Sequence, residues 1–212
     1  MEGPITVAAA RAHYAGGDSH NFDHVLRVTA LAERIARAEG ADLVVVHTAA
    51  LLHDIGESRT REHHHQIGAA LARELLRDQP TGFVAAVTHA IEAHRFRTPP
   101  APQTLEAQVV FDADKLDALG AIGVARACAY AGERGNALWN TPWRIIATEN
   151  GDAVSRPVAL GDAYTPGHEF VYKLSHIADQ LYTATARAIA RERAAFMQSF
   201  FDRLDQEAMG LL

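Results

Sequence analysis

The stretch AALLHDIGES, residues 49–58, places a histidine and an aspartate side by side at the end of an apolar run. Leu51 and Leu52 come directly before the pair, which predicts that His53 and Asp54 lie close to the protein interior. Burying an imidazole and a carboxylate costs free energy unless each group finds a partner. The identity of these partners is the first question for the rest of the sequence.

The segments on either side of this pair carry apolar residues at helical spacing. An amphipathic helix is predicted around residues 25–35, closed by Gly40, and Asp42 is a plausible N-cap for an apolar helix over residues 43–54. The LVVV start of the second segment would also suit a strand, but its alanine-rich continuation favours a helix. Further helices are predicted over residues 68–78, 83–94 and 105–131. Because alternating β patterns are nearly absent, the predicted fold class is all-α.

The helical period stops in residues 132–167, a segment with glycine, proline and asparagine and with both tryptophans of the chain. A connection of this length without secondary structure is uncommon unless it is functional or disordered. The period returns at His168 and continues to about Ala208. We therefore predict a single domain with a core over residues 20–131, an irregular segment and a C-terminal helical part over residues 168–209.

The 212 residues include 20 basic and 26 acidic side chains, which give a formal charge of −6. This balance argues against binding of a nucleic acid polymer, which usually needs a basic face, but it allows a small anionic substrate. The one cysteine, Cys128, excludes an internal disulfide and suits a reducing compartment. The longest apolar stretch is too short to span a membrane, and the first residues lack the pattern of a signal peptide. We expect a cytoplasmic protein without membrane contact, whose long last helix could pair in a homodimer.

Two other predicted helices offer side chains that could partner the histidine–aspartate pair. His24 lies one turn before Val28 and therefore beside the buried stripe of its helix. Asp114 belongs to the segment FDADKLDALG, in which Phe111 and Leu116 indicate an inward orientation. Two imidazoles and two carboxylates from three helices form a good ligand set for a divalent first-row metal. Each residue also has an ordinary interpretation, as a hydrogen-bonded helix histidine, a chance pair or a helix cap.

Together these segments resemble the HD-domain metal-dependent phosphohydrolases. The resemblance runs through HNFDHVLRV, AALLHDIGES, DADKLDALGAIG and EFVYKL, and it is closest to a bacterial subfamily of nucleotide pyrophosphohydrolases. It implies an all-α HD-domain helical bundle that holds a divalent metal through His24, His53, Asp54 and Asp114. It also implies hydrolysis of a nucleotide through a metal-activated water, with release of pyrophosphate or phosphate. The metal could be manganese, cobalt, nickel, iron or magnesium.

Some HD proteins bind a second metal through histidines of the intervening helices. The segment HHHQIGA offers His64, with His65 nearly as suitable, and the segment IEAHRF offers His94. A solvated histidine-rich loop explains the triple histidine equally well. One metal is therefore the main prediction, and a second metal is its extension.

Catalytic and substrate-binding groups are predicted from their positions relative to these ligands. Glu57 follows the histidine–aspartate pair by one turn and would orient or deprotonate the attacking water if the helix continues, with Asp117 as the competing candidate. Arg27 comes one turn after the first ligand, and its guanidinium matches the oxygens of a phosphate. Lys115 and, from the family resemblance, Lys173 are further candidates for phosphate binding.

Several alternatives stay open at the level of sequence. Trp139, Trp143 or Tyr164 could stack on a nucleobase, or they could cover the core of the bundle. Some HD folds hold two irons and act as oxygenases that cleave C–C or C–P bonds, which requires a filled second metal site. A further alternative is a non-catalytic metal- or nucleotide-binding module in which the metal only stabilises the helices.

Overall fold

The computed structural model of the protein describes residues 3–14, 19–57, 62–96, 99–150 and 158–212. Within these ranges the chain forms helices and turns without a β-strand, which confirms the predicted all-α bundle. The α-helices are α1 (Val7–Arg11), α2 (Ser19–Glu39), α3 (Leu43–Leu52), α4 (His64–Leu75), α5 (Thr81–Ala93), α6 (Leu105–Leu116), α7 (Gly120–Glu133), α8 (Trp143–Asn150), α9 (Pro166–Tyr172) and α10 (Ala184–Ala208). Short 3-10 helices cover Val158–Ala163, Leu174–His176 and Ala178–Gln180. None of the helices in the described ranges is both long and apolar enough to cross a membrane.

The helices group into two compact units. The N-terminal unit consists of Met1–Asp114 and Leu181–Ala186, and the C-terminal unit consists of Lys115–Gln180 and Arg187–Leu212. In the N-terminal unit, α3 packs against α2 and α5, and α4 packs against α5. In the C-terminal unit, α9 packs against α7 and α8. The organisation of the chain as a single domain stays a prediction.

Helix α3 is the central element of the N-terminal unit. Its N-cap is Asp42, whose carboxylate accepts hydrogen bonds from the backbone N–H groups of Val44 and Val45 at 2.8 and 3.2 Å. Every residue from Val45 to Leu52 is buried, as the uniformly apolar sequence predicts. The helix ends at Leu52, two residues earlier than predicted, so the histidine–aspartate pair begins the turn that follows.

Part of the segment 132–167 is more regular than its composition predicts. It contains α8 and the start of α9, while its residues 151–157 lie outside the described part of the chain. The indole N–H groups of Trp139 and Trp143 donate hydrogen bonds to carboxylates of α10 at 2.8 and 2.9 Å. The prediction of an irregular segment is wrong for α8, because contacts with residues far along the chain, which local composition does not show, stabilise this helix.

A buried aspartate joins α6 to the start of α10 within the N-terminal unit. The Asp112 carboxylate accepts hydrogen bonds from the backbone N–H groups of Tyr182 and Thr183 at 2.9 and 2.7 Å, and from the Thr183 hydroxyl at 2.7 Å. The Thr183 hydroxyl oxygen accepts a hydrogen bond from the backbone N–H of Ala186 at 3.2 Å, which caps α10. These donors compensate for the complete burial of Asp112.

Candidate metal centre

Three elements of the N-terminal unit bring predicted ligands together. His24 lies on α2, His53 directly follows α3, and Asp114 lies on α6. One ligand atom of each residue lies within 4.8 Å of the ligand atoms of the other two. The Nε2 atom of His24 is 3.3 Å from Oδ1 of Asp114 and 3.4 Å from Nε2 of His53. These three residues form the first donor group.

A second donor group consists of Asp54, His64 and His94, whose ligand atoms also lie within 4.8 Å of one another. The Nε2 atoms of His64 and His94 are 3.2 Å apart. They lie 3.5 and 3.4 Å from Oδ1 of Asp54. Of the two histidines that the sequence left open, the structure brings His64 rather than His65 to this group.

Asp54 belongs to the second donor group and also faces the first. Its Oδ2 atom is 3.2 Å from Nε2 of His53 and 3.7 Å from Nε2 of His24. Its Oδ1 atom faces the two histidines of the second group. The Asp54 carboxylate would therefore offer one oxygen to a cation held by each donor group.

Backbone carbonyls determine which ring nitrogen two of these histidines present. Nδ1 of His53 lies 2.8 Å from the carbonyl oxygen of Ala50, and Nδ1 of His94 lies 2.6 Å from that of Ile91. Because a carbonyl oxygen can only accept a hydrogen bond, each Nδ1 carries the proton, and each neutral ring presents the lone pair of Nε2 to the centre. Metal-ligating histidines are usually oriented by hydrogen bonds of this kind.

The charges of the centre stabilise Asp54 in its ionised form. Burial raises the pKa of the Asp54 carboxyl, but the charge of protonated His53 and the hydrogen bonds that His53 and His94 donate when a proton occupies Nε2 hold this pKa well below its usual value. Burial lowers the pKa of His53, yet the charges of Asp54 and Asp114 and a hydrogen bond with Asp54 together outweigh burial, so the pKa of His53 is raised overall. For His94 burial dominates, and its pKa is lowered. Protons and a metal ion would therefore compete for the same Nε2 lone pairs.

A close approach between two glycines holds the turn after α3 against α4. A Cβ atom on Gly56 would lie 2.2 Å from the carbonyl oxygen of His64 and 2.8 Å from the backbone nitrogen of Gly68. Only a residue without a side chain allows the two backbones to approach this closely. The contact fixes the turn that carries His53 and Asp54 relative to the helix that carries His64.

Arg27 and Glu57, the predicted phosphate ligand and water-activating group, are half-buried residues of the N-terminal unit. Arg27 lies on α2, one turn after His24. The helix does not continue to Glu57, because α3 ends at Leu52 and a turn follows. In this turn the backbone N–H of Glu57 donates to the carbonyl oxygen of Asp54 at 2.9 Å, which keeps the two residues close. The roles of Arg27 and Glu57 stay predictions.

The other predicted catalytic and substrate-binding residues belong to the C-terminal unit. Asp117 is buried and accepts a hydrogen bond from Arg126 at 3.2 Å. Lys173 has a side chain that is 62% exposed and pairs with Glu169 at 2.8 Å. Lys115 is half-buried. The roles of Asp117, Lys115 and Lys173 also stay predictions.

The aromatic residues considered for base stacking lie in the C-terminal unit as well. Trp139 and Trp143 use their indole N–H groups for the carboxylates of α10, and the Tyr164 hydroxyl donates to Glu169 at 2.8 Å. The Tyr164 ring is buried. These bonds favour the interpretation that the three rings cover the core of the unit, and base stacking stays a prediction.

His65 is buried beside the second donor group. Among the described residues neither of its ring nitrogens has a hydrogen-bond partner. Burial, together with the neighbouring charges of His64 and Arg95, lowers the pKa of His65 to about 4. His65 is therefore a neutral core histidine at neutral pH.

Tyr14 is a residue near the centre that the sequence analysis did not identify. Its hydroxyl donates to the carbonyl oxygen of Leu51 at 2.8 Å, and its ring meets that of Phe22 with a centroid distance of 5.2 Å. A tyrosine in a short N-terminal segment gives no periodic signal in sequence. Its position becomes apparent only from the fold.

Comparisons with known proteins relate this chain to a family and to solved structures. The model of the HD domain family matches residues 21–119, a range that holds both donor groups. The uncharacterised protein YpgQ of Bacillus subtilis is 30% identical over 197 residues, which cover 91% of this chain and 86% of YpgQ. The crystal structure of YpgQ in complex with ADP has a TM-score of 0.70 and 27% identity, and the match covers 95% of this chain and 92% of that chain.

Two further relatives show the range of similar proteins. A crystal structure described as a predicted HD superfamily hydrolase, from an uncultured Thermotogales bacterium, has 28% identity and a TM-score of 0.64 over 95% of this chain and 90% of that chain. Ribonuclease Y of Chloroflexus aurantiacus is 42% identical over 98 residues, which cover 45% of this chain and 18% of that protein. The chain belongs to the HD-domain family. Within this family its similarity to YpgQ extends over most of both chains.

Proposed function

We propose that the protein is a metal-dependent phosphohydrolase that hydrolyses a nucleotide and releases pyrophosphate or phosphate. The observation that carries this proposal is the position of Asp54, whose two carboxylate oxygens face two separate donor groups. The ADP in the crystal structure of YpgQ supports a nucleotide as the substrate class. Phosphoryl transfer depends mainly on positioning and charge stabilisation, which divalent cations held by these donor groups would supply.

The donor set of this centre fits divalent cations. Imidazole and carboxylate ligands suit manganese, iron, cobalt and nickel, and the carbonyl contacts of two histidines already orient their Nε2 atoms. One cation would be held by His24, His53 and Asp114, a second by His64 and His94, and Asp54 would contribute one oxygen to each. When bound, the cations would lower the pKa of a water molecule and neutralise charge on phosphoryl oxygens.

Glu57 and Arg27 would act on the water and on the phosphate. The Glu57 carboxylate, which follows Asp54 in the turn after α3, would accept the proton that the attacking water loses. The planar guanidinium of Arg27 would donate parallel hydrogen bonds to two phosphate oxygens, a geometry that a lysine ammonium cannot match. Because neither residue belongs to a donor group, substitutions of Glu57 or Arg27 can test catalysis without removing a proposed metal ligand.

A screen of nucleotides tests the proposed function. The metal-free protein is supplied in turn with each divalent cation that the donor set accepts, and phosphate, pyrophosphate and nucleoside monophosphate are measured separately. We expect metal-dependent hydrolysis of at least one nucleotide. Absence of hydrolysis with every cation would contradict the proposal. The same screen includes a single-stranded RNA, because part of the chain is similar to ribonuclease Y.

Variants of the two proposed residues sharpen this test. Glu57→Gln should keep the metal but lower kcat about 10²–10⁴-fold, the usual contribution of a general base. Arg27→Ala should mainly raise KM, and Arg27→Lys should restore little of the loss. A Glu57→Gln variant with the parent kcat would move the role of the base to Asp117.

A two-iron oxygenase is the second candidate function. The observation that favours it is the second donor group, since such an oxygenase requires two filled metal sites. Consumption of oxygen with ferrous iron, combined with no hydrolysis of any phosphate ester, would replace the phosphohydrolase by this alternative. A metal that raises Tm without supporting either chemistry would instead indicate a non-catalytic module.

A further inference from the structure

Tyr14 lies against the end of α3 although it belongs to the N-terminal segment of the chain. Its hydroxyl donates a hydrogen bond of 2.8 Å to the carbonyl oxygen of Leu51. Leu51 lies in the last turn of α3, where carbonyl oxygens lack partners within the helix. The Tyr14 phenol therefore satisfies a carbonyl group two residues before His53.

The ring of Tyr14 also contacts α2. The rings of Tyr14 and Phe22 meet edge to face, with an angle of 64° between their planes. Phe22 is buried, with 3% of its surface exposed, and lies two residues before His24. Arg11 covers the Phe22 ring, with its guanidinium carbon 4.5 Å from the ring centroid. One tyrosine thus connects the end of α3 with the part of α2 that carries His24.

The electrostatic surroundings keep the Tyr14 phenol in its protonated form. Burial raises the pKa of Tyr14 well above its usual value, and the negative charges of Asp54 and Glu57 raise it further, against a hydrogen bond with the Asp54 backbone. Because a protonated phenol remains a donor, the bond to Leu51 persists over the pH range in which histidines titrate.

We propose that Tyr14 is a positioning residue of the metal centre, whose hydrogen bond to Leu51 fixes the turn that carries His53 and Asp54. The inference rests on the metal centre of the proposed function and does not depend on the substrate. The phenol acts through the backbone of this turn and not as a metal ligand.

Backbone hydrogen exchange of the metal-free protein provides the first test. Tyr14→Phe removes the hydroxyl and keeps the ring on Phe22, and Tyr130→Phe is the control, since Tyr130 lies in the C-terminal unit beneath Arg134. In Tyr14→Phe we expect the amides of residues 52–57 to exchange about 3- to 10-fold faster, as loss of one hydrogen bond predicts, and those of α5 to keep their rates. Unchanged rates at residues 52–57, or equal acceleration throughout the unit, would overturn the inference.

Calorimetric titration with Mn²⁺ provides the second test. Tyr14→Phe should raise the Kd for Mn²⁺ about 3- to 10-fold, while Tyr130→Phe keeps the parent Kd. A parent Kd combined with a lowered Tm would show that Tyr14 only stabilises the fold, and it would overturn the inference. Neither measurement uses a nucleotide, so a protein that binds Mn²⁺ but hydrolyses no nucleotide would contradict the proposed function and leave the role of Tyr14 intact.

Discussion

The candidate metal centre around Asp54 and the hydrogen-bonded junction that Asp112 forms between α6 and the start of α10 place two carboxylates in the same unit with opposite kinds of partners. Asp112 accepts hydrogen bonds from the N–H and O–H groups of Tyr182 and Thr183. Asp54 instead faces the ring nitrogens of four histidines. A neutral imidazole that carries its proton on Nδ1 has no donor left on Nε2. Donors of the protein satisfy Asp112, whereas Asp54 requires protons or cations.

Under the proposed function, the type of partner, and not the depth of burial, distinguishes a carboxylate that protein donors satisfy from one that would hold a metal. Asp112 is fully buried, while the Asp54 side chain keeps 14% of its surface exposed. Ranking by burial alone would place Asp112, which donors of the protein already satisfy, ahead of Asp54. Asp205 in the C-terminal unit is a second structural case, because it accepts hydrogen bonds from the Trp139 indole and the Trp143 backbone.

The largest expected effect follows from replacing the carboxylate that both donor groups share. Asp54→Asn should abolish the increase in Tm that Mn²⁺ produces and lower hydrolytic turnover about 10³-fold or more, because a cation contributes several kcal/mol to the transition state. Far-ultraviolet circular dichroism should stay unchanged. Metal content and turnover equal to those of the parent would contradict the assignment of the centre.

A smaller effect is expected from widening the contact between the turn and α4. Gly56→Ala places a Cβ atom 2.2 Å from the His64 carbonyl oxygen, so α4 must move. We expect a loss of about 1–3 kcal/mol in the free energy of unfolding, as for other overpacked sites, and weaker Mn²⁺ binding. Chemical denaturation and calorimetry measure the two effects.

Gly82→Ala is the matched control for this contact, because nothing lies within 4 Å of a Cβ atom at that position. Gly82 belongs to α5, where alanine has a higher helix propensity than glycine, so this variant should be unchanged or more stable. Equal effects of the two substitutions would mean that the contact at Gly56 has no special role.

Substitution of Asp112 should lower the stability of the protein but leave its metal binding unchanged. Asp112→Asn keeps the shape of the side chain but turns a charged acceptor into an amide, which should cost about 1.5–3 kcal/mol of unfolding free energy. Its Mn²⁺ content should equal that of the parent. Asp78→Asn is the control, since the Asp78 side chain is 90% exposed and surface substitutions change stability by about 0.5 kcal/mol at most. Loss of metal in Asp112→Asn would contradict the proposal that only Asp54, and not Asp112, contributes to metal binding.

The smallest expected effect concerns acid stability. Because burial lowers the pKa of His65 to about 4, the unfolded chain binds a proton at this residue at higher pH than the folded protein does. The contribution of neutral His65 is complete above about pH 6.5 and is lost as the pH falls towards 4. His65→Leu should therefore flatten the pH dependence of the unfolding free energy of metal-free protein in this window. The unfolding free energy would be measured by denaturant titration at several pH values. The same pH dependence in His65→Leu and in the parent would show that the pKa of His65 does not differ between the folded and unfolded protein.

The sequence predicts much of the fold because its helices obey local rules. The apolar residues of α3, its N-cap at Asp42 and the end of α10 near Ala208 all follow from periodicity and capping. The helix α8 could not be predicted, because its tryptophan bonds reach carboxylates far along the chain. Likewise α4 begins at His64, four residues before the predicted start at residue 68, because the histidines of its first turn carry no apolar pattern.

The candidate site was predictable in composition but not in arrangement. The order of His24, His53, Asp54 and Asp114 along the chain indicates a metal centre, and the structure brings these residues together. Sequence cannot choose between His64 and His65, because adjacent helix residues point in directions about 100° apart and only the packing of the helix selects one of them. It also cannot show that the two oxygens of Asp54 face different donor groups, since this depends on the orientation of one side chain.

Anomalous diffraction from crystals grown with Mn²⁺, recorded at the manganese edge, tests the central claim most directly. We predict an anomalous peak between His24, His53, Asp54 and Asp114, and a second peak between Asp54, His64 and His94. A single peak in the first group would support one cation and leave the second histidine pair without a metal role. Manganese bound away from Asp54, or the absence of any peak beside it at saturating Mn²⁺, would contradict the account.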